Sequence, residues 1–298
     1  MHAGTILIAG ATGTLGSRLA RRLADGGKRV VAAVRPTSDL GRLGGRFNTL
    51  DVTGTDRELR LAFKRLGIGA VINCVADYGR DGAARSRIAD ANLRTPLRLL
   101  EAAHATGVST FVNTHTSLPH DVSPYTLAKH QFCDWLAGAT VPPTRINVVL
   151  EHFYGPGQDP SMFVAFLVDR FLADAPEIRT TKAEQQRDFV HIDDVLDAYE
   201  CLLDNADRLG DGFHEFPVGG GPPPRLRDVI ETVRRLTGNT RTEVAYGARP
   251  YRENEVMHAE ADLRPMASLG WSPRVSLEDG LADVVAAARA SLSNAKAA

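Results

Sequence analysis

The stretch Thr5-Ile-Leu-Ile-Ala-Gly-Ala-Thr-Gly-Thr-Leu-Gly-Ser-Arg-Leu-Ala-Arg-Arg-Leu-Ala24 decides how this chain folds. Its first five residues are an apolar, partly β-branched run, the pattern of a buried strand. From Ser17 on, leucine and alanine recur at helical spacing with arginines between them, so one face is apolar and the other charged. Gly10, Gly13 and Gly16 stand between the two patterns. Gly10 allows a tight turn, Gly13 lets the backbone come close to a ligand, and Gly16 lets the helix settle on the strand. Amide groups at the start of such a helix face an anion such as a pyrophosphate. The spacing differs from the dinucleotide pattern G-x-G-x-x-G in its first gap, and the physical argument survives that change.

Working outward, residues 29–34, 47–51, 70–75, 110–114 and 145–150 read as further strands. Helical patterns separate them, notably over 56–66 and in a long stretch from about 86 to 107. Strands alternating with helices predict a Rossmann-type, doubly wound α/β fold with a parallel sheet covered on both faces. This domain is expected to span 1–150, with a returning segment near 187–205. Beyond residue 150 the pattern changes: a turn at Tyr154-Gly-Pro-Gly157, a break at Val218-Gly-Gly-Gly-Pro-Pro-Pro224, and helical segments over 163–174, 226–236 and 277–292. Residues 151–298 therefore read mainly as a smaller α+β substrate lobe, with 293–298 expected to fray.

The bulk properties exclude several classes. The 298 residues are 43% hydrophobic and 24% charged, as in soluble globular proteins. A formal net charge of −1 gives no reason to expect nucleic acid or an anionic membrane as partner. No apolar run reaches the roughly 18 residues of a membrane span. No basic segment precedes a long apolar one at the N-terminus, so no signal peptide and a cytoplasmic location are expected. Cys74, Cys133 and Cys201 are isolated and lack metal spacing. They are expected to be reduced, buried thiols, with no metal site.

A second constellation carries the chemistry. Tyr125 and Lys129 stand four apart on a helical pattern and so share a face. A nearby cation favours phenolate, so the lysine is expected to pull the tyrosine below its ordinary pKa of about 10. With the glycine loop upstream, the pair points to transfer of a hydride and a proton. At the end of the second strand, where an acidic residue would accept hydrogen bonds from ribose hydroxyls, the chain has Arg35-Pro-Thr-Ser38. A guanidinium suits a 2′-phosphate, with Thr37 or Ser38 as a hydroxyl donor, so NADP(H) is the expected cofactor and NAD(H) use stays open. The alternative is a solvated surface arginine. Asp51 reads either as an acceptor for the adenine amino group or as a turn aspartate.

The chain resembles the extended short-chain dehydrogenase/reductases, the NAD-dependent epimerase/dehydratase family, over almost all of its length. The motifs are Gly10-x-x-Gly13-x-x-Gly16, Asp51-Val52, Asn73 to Ala76, Thr116, Tyr125-x-x-x-Lys129, Tyr154-Gly-Pro-Gly157, Arg187-Asp-Phe-Val-His-Ile-Asp-Asp194 and Leu269-Gly-Trp-x-Pro273. Residues 111–117, 125–132, 151–157 and Asp77-Tyr-Gly-Arg80 look most like nucleotide-sugar 4-ketoreductases of the CDP-abequose and paratose synthase type. The resemblance implies an NADPH-dependent ketoreductase that turns the ketone of a nucleotide-linked 4-keto-6-deoxysugar into a secondary alcohol. Tyr125 would be the general acid, Lys129 its partner and the ligand of the nicotinamide ribose, and Thr116 the hydrogen-bond donor to the same oxygen. Thr12, Thr14, Leu15, Val52 and Val75 would line the cofactor beside the three glycines. Tyr78, His115, His152, Arg187 and Arg252 would face the small-molecule substrate, the two arginines on its diphosphate; a homodimer is also implied.

Arg187 reads alternatively as an ion-pair partner of Asp188, Asp193 or Asp194. His115, His152 and the short loop between Thr116 and Tyr125 depart from the family pattern. Each histidine reads alternatively as a packed one; facing the pocket, they and the loop keep open a second substrate class, a polyketide or antibiotic-precursor ketone, and a substrate hydroxyl could then supply the proton. An epimerase, a dehydratase and a non-catalytic NADP-binding regulator rank lower. Ser117-Leu118 lacks the acidic residues a dehydratase needs, and regulators usually lose the tyrosine–lysine pair.

Overall fold

The computed structural model describes residues 4–80 and 82–297. The chain divides into two compact units. One comprises residues up to Leu150 together with Ala198–Pro217; the other comprises Glu151–Asp197 and Val218 onward. The segment that returns to the first unit thus begins later than residue 187 and ends later than 205.

The first unit is built on strands β1 (Thr5–Ala9), β2 (Val30–Val34), β3 (Asn48–Asp51), β4 (Ile68–Asn73), β5 (Thr110–Thr116) and β6 (Thr144–Leu150). With β10 (Gly212–Val218) they form a seven-stranded sheet in the order β10-β6-β5-β4-β1-β2-β3. The pairs from β3 through β6 are all parallel. The helices are α1 (Thr14–Asp25), α2 (Asp56–Leu66), α3 (Arg85–Ala89), α4 (Thr95–Thr106) and α5 (Pro124–Gly138). The first unit also takes the later part of α7 (Ile192–Leu209). Leu7, Val31, Val71, Phe63, Phe111 and Phe132 belong to one buried cluster between sheet and helices. The expected doubly wound α/β domain is therefore present.

Local chemistry sets where the helices start. Thr55 and Glu58 form a reciprocal capping box, Glu58 N donating to Thr55 Oγ1 at 3.3 Å and Thr55 N to Glu58 Oε2 at 2.7 Å. The long helix expected over 86–107 is interrupted. A π-helical turn at Asp90–Arg94 separates α3 from α4. Pro96 explains it: the ring has no N–H to give the Asn92 carbonyl four residues back and crowds that carbonyl, so the turn widens.

The second unit is smaller and mixed, as expected. Its strands β7 (His152–Tyr154) and β9 (Phe189–His191) pair in parallel, as do β8 (Glu177–Arg179) and β11 (Glu243–Ala245). Helices α6 (Phe163–Leu172), α8 (Leu226–Thr237) and α10 (Leu277–Ala297) pack around a core that includes Phe171, Ile230 and Leu281, and α9 (Arg264–Ser268) is short. The fraying expected at 293–298 does not begin at 293. The helix continues to Ala297, with Ser293 Oγ bonded to the Arg289 carbonyl at 3.0 Å; Ala298 lies outside the described residues. The three cysteines are unpaired with one another, as expected, and half-buried where full burial was expected. No described helix is long and apolar enough to cross a membrane.

Candidate active site

The start of α5 places the tyrosine and the lysine. Ser123 caps the helix, with Thr126 N donating to its Oγ at 3.2 Å, and Pro124 follows at the first helical position. Tyr125 therefore sits in the first turn and Lys129 one turn further on. Lys129 is 1% exposed, and its ammonium donates to the Val75 carbonyl at 3.0 Å and the Thr114 carbonyl at 2.6 Å. Burial holds it down at about 8, against a slight upward pull from Cys74. Two carbonyls give the ammonium its hydrogen bonds and leave its charge uncancelled.

Tyr125 is also buried, and burial raises its pKa above the ordinary phenol value; the neighbouring Tyr78 adds to this and a hydrogen bond with Thr116 opposes it. The expected depression by Lys129 is therefore absent here. Desolvation of the phenolate outweighs the hydrogen bond. Its ring lies 4.8 Å from that of Tyr78, which is exposed and carries Arg80 over its ring at 5.0 Å. Asn92, in the π turn, holds this loop from both sides. It accepts from Asp77 N at 3.1 Å and donates to the Asp77 carbonyl at 2.8 Å. His115 is 6% exposed and packs edge-on against His130, ring centroids 4.5 Å apart. Its Nδ1 is buried with no hydrogen-bond partner among the described residues, and burial, His130 and Lys129 lower its pKa to about 3, so it is neutral.

The glycine loop has the expected shape. Gly10 has φ +77°, and a Cβ there would sit 2.7 Å from the Cys74 backbone; one on Gly16 would sit 2.3 Å from the Gly10 carbonyl oxygen. Thr12, Gly13 and Thr14 follow β1 and lead into α1, with Leu15 buried beneath them. Arg35 is exposed at the end of β2, and its backbone N–H is tied to Ser38 Oγ at 3.0 Å. Asp51 bonds its own turn, accepting from Thr53 N and Thr53 Oγ1, in line with its reading as a turn residue. Val52 is half-buried after β3.

In the second unit, Arg187 is buried and paired with Glu255 at 2.6 Å, not with Asp188, Asp193 or Asp194. Those acids have other duties. Asp188 accepts from Gly220 N and Ala261 N, and Asp194 accepts from Arg274 N and Val275 N. Arg252 is exposed and near enough for its charge to bear on Arg187. A carboxylate, Glu255, already sits on Arg187. His152 is half-buried, its ring 5.9 Å from that of Phe189 and its Nδ1 3.8 Å from Glu151 Oε2.

Residues 6–219 match the model of the NAD dependent epimerase/dehydratase family. The chain belongs to that family. As a member of it, the chain is an enzyme of the nicotinamide-dependent oxidoreductase, epimerase and dehydratase type. CDP-abequose synthase of Salmonella typhimurium is 26% identical over 94% of this chain and 97% of its own length. A structure of MoeE5 in complex with UDP-glucose and NAD superposes with a TM-score of 0.82 at 26% identity, covering 97% of this chain and 100% of that one. UDP-glucose 4-epimerase from Thermotoga maritima, solved with UDP-glucose, shares the fold with a TM-score of 0.85 at 24% identity, over 97% and 99% of the two chains.

The family's dinucleotide fits the residues present. The glycines leave a cradle that side chains would fill, and α1 begins at Thr14. Gly10, Gly13 and Gly16 would hold the pyrophosphate, and Lys129 the nicotinamide ribose. Sequence reasoning missed several supporting residues. Arg42 donates to Thr14 Oγ1 at 2.6 Å beside the glycine loop. Thr114, whose carbonyl binds Lys129, also meets Tyr199 hydroxyl to hydroxyl at 2.5 Å. Thr114 precedes Thr116 by two on one strand and so shares its face, a signal that was available. Asn92 gave no comparable signal, because its partner loop lies in a separate segment.

Proposed function

We propose that this chain is an NADPH-dependent ketoreductase that reduces the ketone of a nucleotide-linked 4-keto-6-deoxysugar to a secondary alcohol. The observation that carries the reading is a buried Tyr125 one helical turn before a buried ammonium that is held by two neutral carbonyls, with no carboxylate on it among the described residues. Reduction needs a proton donor beside the ketone, and a phenol in this place can serve as one. The cofactor, when bound, supplies the hydride. Tyr125 gives its proton to the carbonyl oxygen, Thr116 hydrogen-bonds the same oxygen, and the charge of Lys129 steadies the phenolate left behind.

The near full-length similarity to CDP-abequose synthase supports the sugar nucleotide class. Arg35, with a hydroxyl from Ser38, supports NADPH over NADH. Arg187 and Arg252 are read as the diphosphate ligands. The Arg187–Glu255 pair favours the second reading, a natural-product ketone without a diphosphate, because that guanidinium is already matched. The test is NADPH oxidation with a CDP-linked 4-keto-deoxysugar and with aromatic polyketide ketones. Turnover of the first class is expected. Turnover of the second alone transfers the assignment to natural products, and turnover of neither removes both. In the same assay Arg35→Asp is expected to cut the NADPH-to-NADH preference by about 10- to 100-fold, the value of one or two charge-assisted hydrogen bonds; an unchanged preference removes Arg35 from the cofactor site.

A further inference from the structure

Three asparagines stand side by side across the middle of the large sheet. Asn73 on β4 is in register with Asn113 on β5, and Asn113 with Asn147 on β6. All three are buried. Their side-chain amides join head to tail. Asn73 Nδ2 donates to Asn113 Oδ1 at 2.9 Å, Asn113 Nδ2 to Asn147 Oδ1 at 2.8 Å, and Asn147 Nδ2 to Glu215 Oε2 at 3.0 Å. At the other end Asn73 Oδ1 accepts from Val75 N at 3.3 Å, and the Val75 carbonyl accepts from Lys129 Nζ.

A primary amide can sit in such a row either way round, because it has a donor face and an acceptor face of similar shape. An ionised carboxylate can only accept. Glu215, exposed on the edge strand β10, therefore requires an N–H from Asn147, and each amide in turn is left with one orientation. The row ends with an oxygen toward Val75 N–H. Reversed, it would set an amide N–H against that N–H, and the Val75 peptide would have to move off Lys129.

We propose that Glu215 is a positioning residue that sets the direction of this amide row and through it holds the Val75 carbonyl on the Lys129 ammonium. The proposal deepens the reading of Lys129 as the catalytic lysine and rests on it for its functional meaning, but its test needs neither ketone nor cofactor. The chain has only five lysines, Lys28, Lys64, Lys129, Lys182 and Lys296, so the buried one can be followed by NMR in protein labelled at the lysine ε-carbon. The titratable groups that bear on the Lys129 ammonium are the Cys74 thiol just after β4 and His115 on β5, with Tyr125 one turn earlier on α5; the charge of Glu215 bears on Cys133 of α5. None of these changes in the variants used.

Glu215→Lys presents a donor where an acceptor stood, and is expected to lower the Lys129 titration midpoint by at least about half a pH unit, through loss of one of its two acceptors. Glu215→Gln, which tolerates either direction, should lower it less, and Glu215→Asp should leave it in place. The shift should persist at about 1 M salt, where a through-solvent charge effect is screened. It should also vanish in an Asn147→Leu background, which cuts the row while leaving residue 215 as it is. An unchanged midpoint in Glu215→Lys, a shift erased by salt, or an equal shift without Asn147 would each overturn the proposal. Should Asn147→Leu fail to fold, the exposed Glu215 series with its salt control still decides. Failure of the ketoreductase assay with a positive titration result would leave the positioning role standing.

Discussion

Lys129 and Arg187 are both buried cations, and they are held in opposite ways. Lys129 in the first unit lies between two neutral carbonyls, and burial lowers its pKa to about 8. Arg187 in the second unit lies against the Glu255 carboxylate at 2.6 Å. Carbonyls satisfy the geometry of a cation without cancelling its field, whereas a carboxylate does both. The first arrangement leaves a charge that acts on whatever lies beside it. In the second, an arriving anion would compete with a resident one, so Glu255 would tune its binding. On the proposed reading, the contrast separates a centre for one reaction type from a centre that can be adjusted to different ligands.

The largest expected effects come from the first centre. Tyr125→Phe and Lys129→Met should each lower kcat by about 10²- to 10⁴-fold, the usual contribution of a positioned proton donor and its support. NADPH affinity measured by fluorescence titration should hold in Tyr125→Phe. Near-normal turnover in Tyr125→Phe would assign the proton to the substrate.

The next effect is in pH. Lys129 carries its charge below about pH 8 and loses it above, so kcat should fall about tenfold per pH unit on the alkaline side. Stability should move the other way. An unfolded lysine keeps its proton to about pH 10.4, so between about 8 and 10 the unfolded state binds more protons and this group's contribution to stability rises with pH. A flat kcat profile up to pH 10 would show that the uncancelled charge is not needed. The smallest effects belong to the second centre. Arg187→Ala should raise KM for a sugar nucleotide by about tenfold with kcat within threefold, the loss of one charge-assisted contact. Glu255→Gln should lower that KM by removing the competing anion. If both variants leave KM unchanged, the arginine serves the fold alone and the comparison loses its functional half.

Most of the first unit was legible because its signals are local. A glycine loop between a strand and a helix, and a Tyr-x-x-x-Lys spacing, need only a few neighbouring residues to be read. What escaped depends on partners far along the chain. Glu255 takes the place that the alternative reading of Arg187 gave to three aspartates, because spacing along the chain cannot show which acid folds back on a given base. The tyrosine pKa was expected low from the lysine beside it, and lies high because the sequence does not reveal how completely the phenol is desolvated. The π turn before Pro96 was readable in hindsight from the proline, while its use, holding Asp77 through Asn92, was not.

Cys74 has a consequence for the protein's handling outside its reaction. Its sulfur lies under the Thr114 hydroxyl at 3.5 Å, close enough to Lys129 to feel its charge, and burial nevertheless lifts the thiol to about 11. At neutral pH only about one such sulfur in ten thousand is ionised, and only the ionised form attacks alkylating agents or peroxides at a useful rate. A cysteine at the heart of the site is thus chemically silent, and the enzyme should keep its activity through iodoacetamide or mild peroxide treatment that would disable a thiol-dependent relative.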